Sequence, residues 1–226
     1  MKSNFRRMPL WAALLFAAAL MLVFSAAAWW HARACARVRV SPGYEYFLLV
    51  RPCEEATSAA VIGESYSAGG AGLAFGTDGV VLACYFSRAE AERIRERMCS
   101  DGTETEVVRI ASAEFFLYGA AAEACALAGA NFATADSVAR MLYNAANGLE
   151  RSEIGQAEAA AALAGAAASL RGLREGNGAL FSEWNAALYR AEKAAREGAA
   201  GIVFAKDVRR IQAELCMMIA SAGEYM

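Results

Sequence analysis

From Tyr44 to Ile110 the hydrophobic pattern divides into six segments. Tyr44 to Arg51 is a run of aromatic and branched residues that stops at Pro52, which predicts a strand. Ala56 to Ala68 places Val61, Ile62 and Tyr66 on one side of an alanine-rich segment, the period of a helix. After Gly69-Gly70-Ala71-Gly72 come a short strand at Leu73 to Phe75, a hairpin turn at Gly76-Thr77-Asp78-Gly79, and a nearly continuous apolar strand from Val80 to Phe86. Ser87 and Glu90 have the spacing of a capping box, and the helix they open carries Ala91, Ile94 and Met98 on its apolar stripe. Asp101-Gly102 ends it, and Glu106 to Ile110 supplies the last strand. The order is βαββαβ, which predicts a split βαβ domain with two helices on one face of a four-stranded antiparallel sheet.

The flanks differ from this pattern. Met8 to Trp30 holds no charged residue, follows Lys2, Arg6 and Arg7, and is long enough to span a bilayer core of about 30 Å. A transmembrane helix is therefore expected over residues 8–30, with 1–7 as a cytoplasmic N-terminus and 31–42 as a basic linker carrying Arg33, Arg37 and Arg39. A cleaved signal peptide ending near Ala26-Ala27-Ala28 is the alternative. Beyond Ser112, Leu117, Leu127, Leu142, Leu163, Leu170, Trp184, Leu188, Leu215 and Ile219 recur at helical intervals among alanines. They predict a bundle over 112–226, with helices near 112–147, 152–175, 179–197 and 204–222. The expected fold class is thus α+β, with an N-terminal transmembrane helix, a small βαββαβ domain over 43–111 and a C-terminal Ala-rich helical bundle.

Composition narrows the chemistry. A formal charge of −2 over 226 residues gives no polyelectrolyte signature, so nucleic acid is not an expected partner. The single histidine, His31, lies beside the apolar segment and leaves a folded domain without the usual base of a nucleophilic triad. The six cysteines, Cys35, Cys53, Cys84, Cys99, Cys125 and Cys216, include no CxxC spacing. Gly63 to Ser67 lacks the final glycine of a nucleophile elbow, and Gly69 to Gly72 follows a helix, the reverse of a phosphate-binding loop. Glu54-Glu55 and Glu104/Glu106 are carboxylate pairs without a cleft around them. No catalytic residue, metal ligand or cofactor is expected, and the chain reads as non-enzymatic.

The βαββαβ order, and in particular Val80 to Ala91 (VVLACYFSRAEA), resembles the sporulation-related repeat (SPOR) domain. The resemblance covers residues 44–110. It implies an extracytoplasmic module, tethered to the cell membrane by one helix, that binds peptidoglycan glycan strands during division or sporulation. Localisation would then be single-pass in the cell membrane with the C-terminal region outside. Aligning Phe86 with the family's strand-end phenylalanine puts Phe47, Leu49, Arg51, Val80, Leu82 and Cys84 on the open sheet face, the candidate ligand or docking face. The family tends to place polar groups there, including a glutamine where this chain has Leu49. A membrane-anchored scaffold binding other envelope proteins through that face and the helical tail is the alternative to glycan binding. If Cys53 and Cys84 share this face on neighbouring strands, they are candidates for a disulfide.

Overall fold

A computed structural model describes residues 19–30, 37–53, 58–77, 79–118, 122–177 and 182–221. The first helix, α1, covers residues 19–30. The strands and helices that follow are β1 (Arg37–Val40), β2 (Glu45–Pro52), α2 (Ala59–Ser67), β3 (Leu73–Phe75), β4 (Gly79–Tyr85), α3 (Arg88–Ser100), β5 (Glu106–Ala111), β6 (Phe115–Tyr118), α4 (Ala122–Glu150), α5 (Gln156–Gly176), α6 (Ser182–Ala199) and α7 (Ala205–Ala220).

The central module has the expected order. Its sheet runs β3-β4-β2-β5 with every neighbour antiparallel, which is the split βαβ arrangement. The α+β class therefore holds, but the transmembrane part of that expectation is corrected. Among the described residues no helix is long and apolar enough to cross a membrane. The described helix 19–30 covers about 18 Å of the about 30 Å required, and residues 8–18 lie outside the described residues, as do 1–7. The single-pass membrane localisation, with its extracytoplasmic C-terminal region, loses its premise with that helix.

Two further differences concern the flanks of the sheet. Residues 37–40, expected within a linker, form β1, and Phe115–Tyr118, expected within the first tail helix, form β6. The two pair antiparallel, with Val40 opposite Phe115. Phe115 feeds this ribbon into the bundle, since its ring meets Phe132 edge-on at 5.9 Å and Phe132 meets Trp184 at 5.1 Å. Arg39 Nε donates to Glu114 Oε2 at 2.9 Å on its outer side. The expected Ser87 cap is also incomplete. Ser87 occupies the N-cap position of α3 but makes no side-chain capping bond, whereas Ser58 at the start of α2 accepts from Val61 N at 3.3 Å.

The tail is a four-helix bundle for the reason its leucine spacing suggests. α6 buries Trp184, Ala187, Leu188, Ala191 and Ala195, one stripe at helical spacing, and α5 answers with Ala159, Leu163, Ala166 and Leu170. Small alanines let the α5 and α6 backbones approach closely. The turn between α4 and α5 is built differently from expectation. Gly148 lies inside α4 against Ile154, and the left-handed residue that ends the helix is Ser152, at φ 58°. Glu192, only 2% exposed, is ringed by Arg171, Arg174 and Arg196 at 3.1, 3.2 and 3.6 Å. Burial works against its charge, but the arginine hydrogen bonds prevail and hold its carboxyl below the ordinary range.

Candidate functional site

The sheet has no open face. On one side, Phe47, Leu49, Ala83 and Tyr85 pack beneath Ala91, Ile94 and Met98 of α3, with Tyr143 of α4 closing the edge. On the other, Tyr46, Leu48, Val50, Val81 and Cys84 enter the large core shared with α4 and α7. α7 covers them with Val208, Ile211, Gln212, Leu215, Cys216 and Ile219, a stripe at helical spacing. Tyr46 fixes this contact: its hydroxyl donates to Asp136 Oδ1 of α4 at 2.9 Å, and Arg140 Nε donates to Asp136 Oδ2 at 2.8 Å. Burial, followed by the charges of Cys216 and Asp136, pushes the Tyr46 phenol far above its ordinary range.

The six residues expected on one open face do not share a face. The register opposes Phe47 to Tyr85 and Leu48 to Cys84, so Cys84 points to the bundle while Phe47 and Leu49 point to α3. Phe47 and Leu49 are 8% and 1% exposed, so neither is a docking surface. Strict alternation fails further along because β4 carries a bulge: Leu49 pairs with Ala83 and Val50 with Val81, leaving Leu82 as the extra residue. Val80 is buried opposite Arg51, and Leu82 and Arg51 line a cleft beside the sheet. The proposed Cys53–Cys84 disulfide is absent, since both are free thiols. Cys53 follows Pro52, which pairs with Gly79, whereas Cys84 pairs with Leu48, about five strand residues or 17 Å away. Instead Cys84 lies by α7, where Gln212 Nε2 donates to Cys84 O at 3.3 Å and to Cys216 Sγ at 3.4 Å. His31, Cys35, Glu54 and Glu55 lie outside the described residues.

Beside the bulge lies a cleft that the linear sequence does not announce. Its volume is about 650 Å³, and it lies where α2, α3, the end of α4 and the start of α7 meet β2 and β4. Leu82, Ile94 and Met98 give it an apolar wall, with the buried Leu49 behind them. Around this wall stand five arginines, Arg51, Arg93, Arg97, Arg151 and Arg209, against two glutamates, Glu90 and Glu150. Arg93 and Arg97 are one turn apart on α3, both exposed, and neither has an ion-pair partner among the described residues. Arg51 and Arg151 have only long contacts, to Glu64 at 4.0 Å and Glu153 at 3.8 Å.

Deeper in the cleft the side chains are fixed. Arg209 is buried, with Nε on Glu150 Oε1 at 2.6 Å and Nη2 on Glu150 Oε2 at 2.5 Å and Asn147 Oδ1 at 2.9 Å. Its Nη1 has no hydrogen-bond partner, and neither does the buried Ser65 Oγ. Burial alone would lower the Arg209 pKa, but the Glu150 carboxylate more than offsets it and leaves the guanidinium raised. A second, larger groove of about 870 Å³ is lined by Leu73, Phe75, Ile110, Leu215 and Met218 with one opposed charge pair, Arg190 and Glu214. No family model, curated protein or solved structure matches this chain.

Proposed function

We propose that the chain is a non-catalytic scaffold: a degenerate SPOR-like module fused to its own helical bundle, recognising a protein partner through the tail rather than a glycan through the sheet. The observation that carries this reading is the burial of Tyr46, Leu48, Val50, Val81 and Cys84 under α4 and α7. A glycan is held by hydrogen bonds and by stacking on exposed rings, and here the sheet's rings and donors serve the core. The single histidine of the sequence supports the non-catalytic part. Partner contact centres on the α6–α7 loop, where Ile202 and Phe204 stand 72% and 54% exposed. Adjacent large apolar side chains at that exposure are the anchors a protein interface uses.

The test pairs sedimentation with capture. The full chain mixed with amidase-treated sacculi is expected to remain in the supernatant, and its recovery in the pellet would overturn the reading in favour of glycan binding. A cross-linked partner of fixed stoichiometry is expected to be lost when Ile202→Ser and Phe204→Ser are combined. Undiminished capture by that variant would remove the loop from the interface.

A further inference from the structure

We propose that the arginine-lined cleft beside the β4 bulge binds a small organic phosphate, its phosphate at Arg93, Arg97 and Arg51 and its apolar body against Leu82, Ile94 and Met98. Three features carry this assignment. The first is the charge imbalance: five arginines against two glutamates, with Arg93 and Arg97 one helical turn apart and without an ion-pair partner among the described residues, and Arg51 and Arg151 in only long ion pairs. Several guanidiniums on one rim suit a dianion with three acceptor oxygens better than a single carboxylate, because each fork can take its own oxygens.

The second feature is the base of the cleft. Arg209 Nη1 and Ser65 Oγ are buried donors without partners, while the rest of the Arg209 fork is held rigidly by Glu150 and Asn147. Buried donors ordinarily find acceptors, and these two line the cleft with no partner among the described residues. The third feature is the wall. Leu82, the extra residue of the bulge, lines the cleft together with Ile94 and Met98, all three half-buried, and gives it an apolar side. At about 650 Å³ the cleft is within the range of small-molecule sites.

The experiment is a thermal-shift and calorimetric titration of the full chain with phenyl phosphate, inorganic phosphate and benzyl alcohol. Phenyl phosphate is expected to bind saturably and raise the melting temperature, inorganic phosphate to compete for the same site more weakly, and benzyl alcohol to have no effect. Combining Arg93→Gln with Arg97→Gln, both exposed and therefore compatible with the fold, is expected to weaken phenyl phosphate binding at least about tenfold. Arg88→Gln, at the exposed start of α3 and outside the cleft, is expected to bind as the parent does. Absence of saturable binding, equal binding by the double variant, or an equal loss in Arg88→Gln would overturn the proposal.

Discussion

Replacing Tyr46 with phenylalanine removes one oxygen atom at the junction between sheet and bundle. That hydroxyl, buried, donates to Asp136 Oδ1 at 2.9 Å and links β2 to α4. A hydrogen bond to an ionised acceptor contributes about 1.5–3 kcal/mol. Asp136 retains Arg140 on its other oxygen at 2.8 Å, so the carboxylate is not left uncompensated and the lower half of that range applies. Tyr46→Phe is therefore expected to cost about 2 kcal/mol, a fall of about 1 M in urea midpoint. The assay is equilibrium unfolding of the parent, Tyr46→Phe, Asp136→Ala and the double variant, read as a coupling energy. A coupling of about 1.5 kcal/mol or more is expected; one under about 0.5 kcal/mol would refute the claim that this bond joins the two halves. The pH dependence supplies a second check. Because the folded phenol pKa is raised, its stabilisation is fully present below the ordinary tyrosine value of about 10 and is lost as pH rises beyond it. The difference between parent and Tyr46→Phe should shrink above that pH.

Two other substitutions test the bundle. Ser152→Gly relieves a left-handed residue at the end of α4 and should stabilise the chain by about 1 kcal/mol, measured by urea unfolding; a loss would mean that the serine side chain contributes something its backbone angle does not show. Glu192→Gln leaves three arginines without their shared carboxylate and should cost about 2 kcal/mol at neutral pH, discounted because the arginines are half exposed. Since the Glu192 carboxyl is depressed, its contribution exists above the ordinary glutamate value of about 4.3 and is lost as pH falls below it, so parent and variant should converge in acid. A gap that persists unchanged to low pH would contradict the charge account.

The order of elements in the sheet was legible because glycine and proline punctuation sits between runs of clear period. Its faces were not. Residues 46 to 50, Tyr-Phe-Leu-Leu-Val, are apolar at every position, so alternation has no polar partner to label the solvent side, and indeed neither side meets solvent. That run is itself the sign of a strand buried on both faces. The bulge at Leu82 adds one residue without a compositional mark, so strict alternation does not run through β4, and the pairing of Leu48 with Cys84 that turns Cys84 to the bundle has no mark either. The ribbon of β1 and β6 joins segments far apart in sequence, each too short to show a period. The cleft was hidden for the same reason: Arg51, the α3 arginines, Arg151 and Arg209 are dispersed along the chain, and on α3 alone they read as a solvated face. Trp184, by contrast, was readable as core from its place on the α6 stripe.

The central claim is that α7 and α4 close the second face of the sheet, and Cys84 reports on it directly. Burial, reinforced by the neighbouring Cys84 thiol, raises the Cys216 thiol well above its ordinary range, and both side chains are inaccessible beneath Gln212. Alkylation of the native full chain, followed by peptide mapping over time, should label the exposed Cys99 and the half-buried Cys53 first, with Cys84 and Cys216 labelled only at the rate of global unfolding. Native-state labelling of Cys84 as fast as Cys53 would contradict the account, because it would mean that the face beneath α7 is open.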